Sequence, residues 1–323
     1  MHTLPRTIVV LIFTVRLVCH DTASTAQQSF THLNGNINGT VYRSIGYRSE
    51  ITGATLMYSV YLPPFYYSSA DSFPVFYLLH GYGGSETSWV DRCNIHVIID
   101  SLISAGDIPP MIVIMPDAKN SYYINDYAGR FPYEDIFIKE LLPFVDSTYK
   151  ICSGRENRII GGLSMGGYGA VIYSILHHEY FATCIALSAA IRSDGMILNE
   201  KQADYNDKFG PLYGNGLAGE ERLTGLWKSY NPLYMINDSV AGILNGINWY
   251  IDCGTDDFLL PGNEMLHQMF LKYNIPHEYH VRVGAHNWKY WRAGIIDGFK
   301  FAGRKLIRLA ANPRDYHNIP AGL

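Results

Sequence analysis

The run Arg158-Ile159-Ile160-Gly161-Gly162-Leu163-Ser164-Met165-Gly166-Gly167-Tyr168-Gly169 passes from an apolar, strand-like segment through Gly-x-Ser-x-Gly into a helical one. The five-residue pattern alone is common by chance, so its weight comes from the strand before it and the helix after it. In such a turn the serine takes a strained backbone conformation, and side chains at Gly162 and Gly166 would find no space. Ser164 is thereby lifted above the end of a strand. The helix starting at Met165 points unpaired N–H groups and a partial positive charge toward the same place, where an oxyanion would form. The competing reading is a structural glycine turn with an idle serine.

Short apolar runs flank this segment: Val75 to Leu79, Met111 to Met115, Thr183 to Leu187 and Asn248 to Cys253. Runs apolar on both faces predict strands of a buried parallel sheet. Helical stretches lie between or after them, at Glu134 to Tyr149, Met165 to His177, Asn263 to Tyr273 and Trp288 to Ala310. This alternation predicts an α/β fold with a mostly parallel central sheet and helices on both faces. Alternating residues from Asn38 to Pro63 predict antiparallel lead-in strands, stopped by Pro63-Pro64. From Arg192 to Gly246 Gly, Asn, Tyr and Pro are frequent and no strand is predicted, which reads as a cap over the carboxyl edge of the sheet.

A serine hydroxyl needs a base, and on a sheet of this kind the partners follow in the order Ser, acid, His. His267 falls in a helical pattern, and His277 and His280 in an alternating strand from Glu278 to Val283. His286 follows that strand after Gly284-Ala285, on the loop where a base able to reach Ser164 belongs. His177-His178-Glu179 reads as a helix terminus rather than a metal site. The acid belongs on the loop after Cys253. Asp252 lies in the strand itself, whereas Gly254-Thr255 turns the chain and presents Asp256 and Asp257 beyond its end; whichever is not the acid would cap the following helix or face solvent. His80-Gly81-Tyr82-Gly83-Gly84 follows an early strand and offers the Tyr82 N–H as a second oxyanion donor, beside that of Met165. A phosphate loop would need Gly-Lys-Ser/Thr, which is absent here. The chemistry calls for no metal and no cofactor.

The 323 residues are 48% hydrophobic and 17% charged, which excludes a disordered chain. The net charge of −4 and the lack of a basic run argue against nucleic acid as a partner. Met1 to Ala26 has a charged start, an apolar run from Thr7 to Val15 and small residues at Ser24-Thr25-Ala26. It reads as a signal peptide cut before Gln27, leaving one domain over residues 27–323 that is secreted or periplasmic. The apolar run is too short to span a bilayer, so no transmembrane anchor is expected. Lipidation at Cys19 is disfavoured by Val18. Cys184 and Cys253 read as core residues, no Cys-x-x-Cys points to zinc, and a Cys93–Cys152 disulfide stays open without positive support. Asn38-Gly39-Thr40 and Asn237-Asp238-Ser239 fit the glycosylation tripeptide, a pattern frequent by chance. The 25 tyrosines fit a Tyr-lined cleft as readily as a Tyr-rich core, and Tyr122, Tyr123, Tyr127, Tyr168 and Tyr205 are the candidates for a cleft wall.

The chain resembles the esterase D-like branch of the α/β hydrolases, which includes feruloyl and acetyl xylan esterases, S-formylglutathione hydrolases, tributyrin esterases and mycolyltransferases. The resemblance rests on Tyr61-Leu62-Pro63-Pro64, His80-Gly81-Tyr82-Gly83-Gly84-Ser85-Glu86 with Trp89, Gly162-Leu163-Ser164-Met165-Gly166-Gly167, Cys253-Gly254-Thr255-Asp256-Asp257-Phe258-Leu259 and Gly284-Ala285-His286-Asn287-Trp288. It implies an α/β-hydrolase fold and a triad of Ser164, Asp257 and His286, because the family places its acid at Gly-x-x-Asp. It also implies a secreted serine esterase acting on a small-molecule or polysaccharide ester, with feruloyl or acetyl as the acyl group. Acyl transfer of the mycolyltransferase type, a thioesterase like S-formylglutathione hydrolase, and an inert carbohydrate-binding relative are the alternatives. Asp rather than Glu as the acid counts against the first, and the leader against the second.

Overall fold

The computed structural model describes residues 38–311. The signal peptide read over residues 1–26 and Cys19 lie outside them. Strands β1 (Thr40–Arg48) and β2 (Thr55–Leu62) lead in as an antiparallel pair. They are followed by β3 (Val75–Leu79), β4 (Ile112–Pro116), β5 (Arg158–Leu163), β6 (Thr183–Leu187), β7 (Asn248–Gly254) and β8 (His277–Arg282). Among the described residues these form one sheet in the order β1-β2-β4-β3-β5-β6-β7-β8. β2 meets β4 antiparallel, and the pairings from β4 through β8 are parallel. The expected α/β architecture is therefore present. Because β3 lies between β4 and β5, the chain reverses its direction of travel across the sheet there, and a crevice opens beyond the carboxyl ends of β3 and β5.

Alternation along the central strands divides the core in two. Val75, Tyr77 and Leu79 of β3 face one apolar layer, which also holds Phe137, Val171 and Tyr173. Phe76 and Leu78 face the other, with Trp89, Ile99, Trp291 and Phe299. That second layer is built on helices α1 (Ser88–Cys93) and α2 (Ile95–Ser104), which the sequence reading did not single out. Cys93 lies within it as a free thiol, and burial pushes its pKa up to about 11. A Cys93–Cys152 bridge is therefore not formed. Cys184 and Cys253 are buried free thiols, as expected of core residues.

The helical stretch before β5 starts as α3 (Tyr133–Ile136), widens into a π-helical turn at Phe137–Leu141 and resumes as α4 (Leu142–Thr148). Pro143 has no N–H to give and its ring crowds the preceding turn, so the widened turn accommodates it. Helix α5 (Met165–Leu176) is buried along nearly its whole length. The span from 192 to 246 carries no strand, as expected, and is built of short helices: α6 (Asp194–Leu198), α7 (Gln202–Lys208), α8 (Gly210–Tyr213), α9 (Gly225–Ser229), α10 (Pro232–Met235) and α11 (Asp238–Leu244). Helices α12 (Leu260–Lys272) and α13 (Trp288–Ala311) complete the two layers. Among the described residues no helix is long and apolar enough to cross a membrane.

Candidate active site

Ser164 directly follows β5 with φ 54° and ψ −117°, a left-handed conformation that costs a serine on the order of 1–3 kcal/mol. Its neighbours hold it there. The Ser164 N–H donates to the Leu187 carbonyl at 2.9 Å, and the Ser164 carbonyl accepts from the Ala190 N–H at 3.0 Å. A Cβ at Gly162 or at Gly166 would stand 2.5 Å from the Leu79 carbonyl oxygen, so the corner between β5 and α5 presses directly on the end of β3.

The loops after β7 and β8 bring two side chains to this corner. His286 Nε2 lies 2.9 Å from Ser164 Oγ, and its Nδ1 lies 2.8 and 3.0 Å from the two carboxylate oxygens of Asp257. With Asp257 ionised, Nδ1 carries the proton and donates it, which leaves Nε2 to accept the serine hydroxyl's proton. Asp257 Oδ1 also accepts the Leu259 N–H at 2.9 Å, just ahead of α12. Burial alone would push the Asp257 carboxyl up, but the hydrogen bonds from His286, the Leu259 N–H and Ser188 outweigh it and hold it below its ordinary value. The imidazole ring is gripped by Phe258 on one side and Trp291 on another, each with its ring centre 4.7 Å away.

The rival groups go elsewhere. Asp252 is buried within β7 and pairs with Arg282, and burial pushes its carboxyl up. Asp256 is exposed. His267 and His277 hydrogen-bond to each other at 2.7 Å, His280 faces Glu278, and His177 ends α5 against Glu134. Among the described residues no group of three or more His, Cys, Asp or Glu side chains is arranged to hold a metal ion.

The loop after β3 lies against the same corner, and Tyr82 shares a cleft with Ser164 and His286. His80, buried at its base, donates from Nδ1 to the Gly81 carbonyl at 2.8 Å and accepts the Ala118 N–H at Nε2 at 2.9 Å. The Tyr123 hydroxyl donates to the His80 carbonyl, Trp89 Nε1 donates to the Leu79 carbonyl, and Asn120 Oδ1 accepts the Gly83 N–H. This frame fixes the loop beside Ser164. Met165 opens α5, so its N–H has no acceptor within the helix.

Sequence reasoning missed three supports of the site. Ser188, with φ 46°, hydrogen-bonds Asp257 and accepts from Trp291 Nε1 at 3.0 Å. It follows β6 as Ser164 follows β5, a positional clue visible only once the strands are paired. Trp291 and His80 were visible as motif neighbours, yet their contacts depend on distant backbone.

The cleft has a volume of about 500 Å³ and is walled by Tyr82, Tyr122, Phe258, Trp288 and Trp291, with Arg92, Arg192 and Lys208 among its polar groups. Of the five tyrosines expected there, Tyr122 alone lines it. Tyr168 borders a small adjoining recess, while Tyr123 and Tyr205 are wholly buried. Tyr127 is surface-exposed and accepts a hydrogen bond from Asn215. Tyr123, Tyr168 and Tyr205 are drawn inward because their hydroxyls find internal partners or their rings join the core.

The family model described as putative esterase matches residues 49–302. An acetyl esterase of Caldicellulosiruptor saccharolyticus is 29% identical over 243 residues, 73% of this chain and 85% of that protein. An endo-1,4-beta-xylanase/feruloyl esterase of Xylanibacter ruminicola is 31% identical over 225 residues, 68% of this chain but 30% of that longer protein. Among solved structures, a ferulic acid esterase superposes with a TM-score of 0.71 at 27% identity, covering 84% of this chain and 100% of the other.

Proposed function

Because the chain belongs to the putative esterase family, we propose that it hydrolyses carboxylic esters of acylated carbohydrates through an acyl-enzyme on Ser164. One observation carries the mechanism: a single imidazole, His286, spans Ser164 Oγ at 2.9 Å and the Asp257 carboxylate at 2.8 Å. Oγ attacks the acyl carbon while His286 Nε2 takes its proton, and the carbonyl electron pair moves onto oxygen. The N–H groups of Tyr82 and Met165 receive that oxyanion; losing one such donor typically raises the barrier by about 3 kcal/mol. Collapse breaks the bond to the alcohol, which leaves with the proton from Nε2. Water then attacks the acyl-enzyme with His286 again as base, the acid departs, and Ser164 regains its proton. Asp257 keeps Nδ1–H in place and offsets the imidazolium charge.

Feruloyl and acetyl esters are the proposed substrates. The names of the acetyl and ferulic acid esterase relatives support this, as do the aromatic walls of the cleft, which suit a phenolic ring or a sugar face. We read residues 1–26 as a leader for export, so the mature N-terminus should be Gln27 by terminal sequencing. Ser164→Ala assayed on p-nitrophenyl acetate and methyl ferulate should lose at least about a thousandfold in kcat; retained turnover would remove the mechanism. A panel of acetylated xylan, feruloylated oligosaccharide and short-chain triglyceride ranks the acyl groups.

A further inference from the structure

The cleft reverses the sign of the molecule. The chain carries a net charge of −4, yet among the described residues the side chains lining the cleft include Arg92, Arg192 and Lys208 and no carboxylate. Low-dielectric walls focus such a field onto whatever enters. Arg92 comes from α1, beside Trp288. Arg192 and Lys208 come from the other wall, the loop after β6 and the end of α7 in the cap.

Each of the two cap cations has a carboxylate only at the long end of ion-pair distance. Arg192 lies over the Phe209 ring at 5.2 Å and meets Glu200 only at 3.7 Å. Its Nε is buried without a hydrogen-bond partner among the described residues. Lys208 Nζ stands 3.8 Å from Asp204. Asp207 turns instead to the Tyr82 hydroxyl, 3.4 Å away. Glu200 and Asp204 therefore meet the cations at distances long enough for a ligand anion to compete.

We propose that Arg192 and Lys208 form a subsite for a carboxylate on the substrate, so that the preferred ester is carried by an acidic sugar: an acylated oligosaccharide bearing a uronic acid. This rests on the esterase reading above and narrows its substrate class. The exposed ring of Tyr82, backed by Tyr122, offers a face to the sugar while its carboxylate meets the cations, which explains why aromatic and basic groups adjoin on this wall. A glutathione thioester presents the same carboxylate chemistry, so the experiment must separate the two sources.

The test measures kcat/KM on acetylated xylo-oligosaccharides matched with and without a glucuronic acid branch, on S-formylglutathione, and on p-nitrophenyl acetate, between about 0.01 and 0.5 M salt. At low salt the acidic oligosaccharide should exceed its neutral twin by about tenfold, and the two should converge at high salt. Lys208→Glu, at a partly exposed position, should bring that ratio to one or below; Arg192→Gln should do the same wherever it folds. Equal values for the twins at low salt, with S-formylglutathione equally indifferent to salt and to Lys208→Glu, would overturn the subsite. Salt-sensitive preference confined to S-formylglutathione would keep the carboxylate subsite and overturn the sugar as its source. Loss of turnover on every ester would instead overturn the proposed function, and p-nitrophenyl acetate makes that failure distinguishable.

Discussion

Asp257 and Asp252 lie five residues apart on one strand and loop, yet their surroundings drive their carboxyls in opposite directions. Burial raises both, but Asp257 receives hydrogen bonds from His286, the Leu259 N–H and Ser188 that bring it below its ordinary value. Asp252 stays raised in spite of its bonds to Arg282 and the Tyr250 hydroxyl. A carboxylate with a lowered folded pKa contributes stability that is present above the unfolded value near 4 and is lost as pH falls through the folded one. Asp257→Asn should therefore lower kcat by about 10⁴-fold, by presenting the wrong tautomer of His286. Asp252→Asn should keep kcat at the wild-type order of magnitude while lowering the melting temperature; stopped-flow burst kinetics on p-nitrophenyl acetate and calorimetry separate the two. Ser188→Ala removes one hydrogen bond to a charged group and should cost about tenfold in kcat.

The corner between β5 and α5 is a packing problem as much as a catalytic one. Because a methyl at Gly162 would meet the Leu79 carbonyl oxygen at 2.5 Å, Gly162→Ala should destabilise the fold by about 3 kcal/mol, seen as a lower urea midpoint. Tyr123→Phe withdraws the hydroxyl from the His80 carbonyl and should cost about 1–3 kcal/mol, while also slowing the acylation step through the loosened loop after β3. At this scale the strands were legible, because runs such as Val75–Leu79 are apolar on both faces for a reason local to each run. The π-helical turn at Phe137–Leu141 was not, since the sequence pattern there is helical and the widening follows from how Pro143 is seated.

Over the whole molecule, acid should act in two stages. His277 donates from Nδ1 to the Ile275 carbonyl, so its Nε2 accepts from His267 Nδ1. Burial and then the neighbouring His277 hold His267 below its ordinary pKa. For a base shifted downward, stability is present above the unfolded value near 6.5 and is lost as pH falls through the folded one. The melting temperature should decline below about pH 6.5, on the α12–β8 side, and again below about pH 4, the unfolded carboxylate value, as pH falls toward the lowered folded value of Asp257. His267→Gln should remove the upper stage and leave the lower; a single decline unchanged by that substitution would count against the paired-histidine account.

Sequence alone did not determine helices α1 and α2, but it did determine the strands that build the sheet, the elbow at Ser164 and the loop carrying His286. Each is written in local patterns: burial on two faces, glycine where no side chain fits, and a histidine just past a strand end. Of the three acids near the end of β7 the local pattern left Asp256 and Asp257 open, and only the convergence of the β7 and β8 loops separates the one that stays exposed from the one that hydrogen-bonds His286. The fate of the tyrosines was likewise decided by tertiary structure, since a phenol lines a cleft or fills a core according to whether distant backbone meets its hydroxyl. The positive face of the cleft is the furthest from the sequence. Arg92, Arg192 and Lys208 are scattered along the chain, and a field sums over space rather than over residue number.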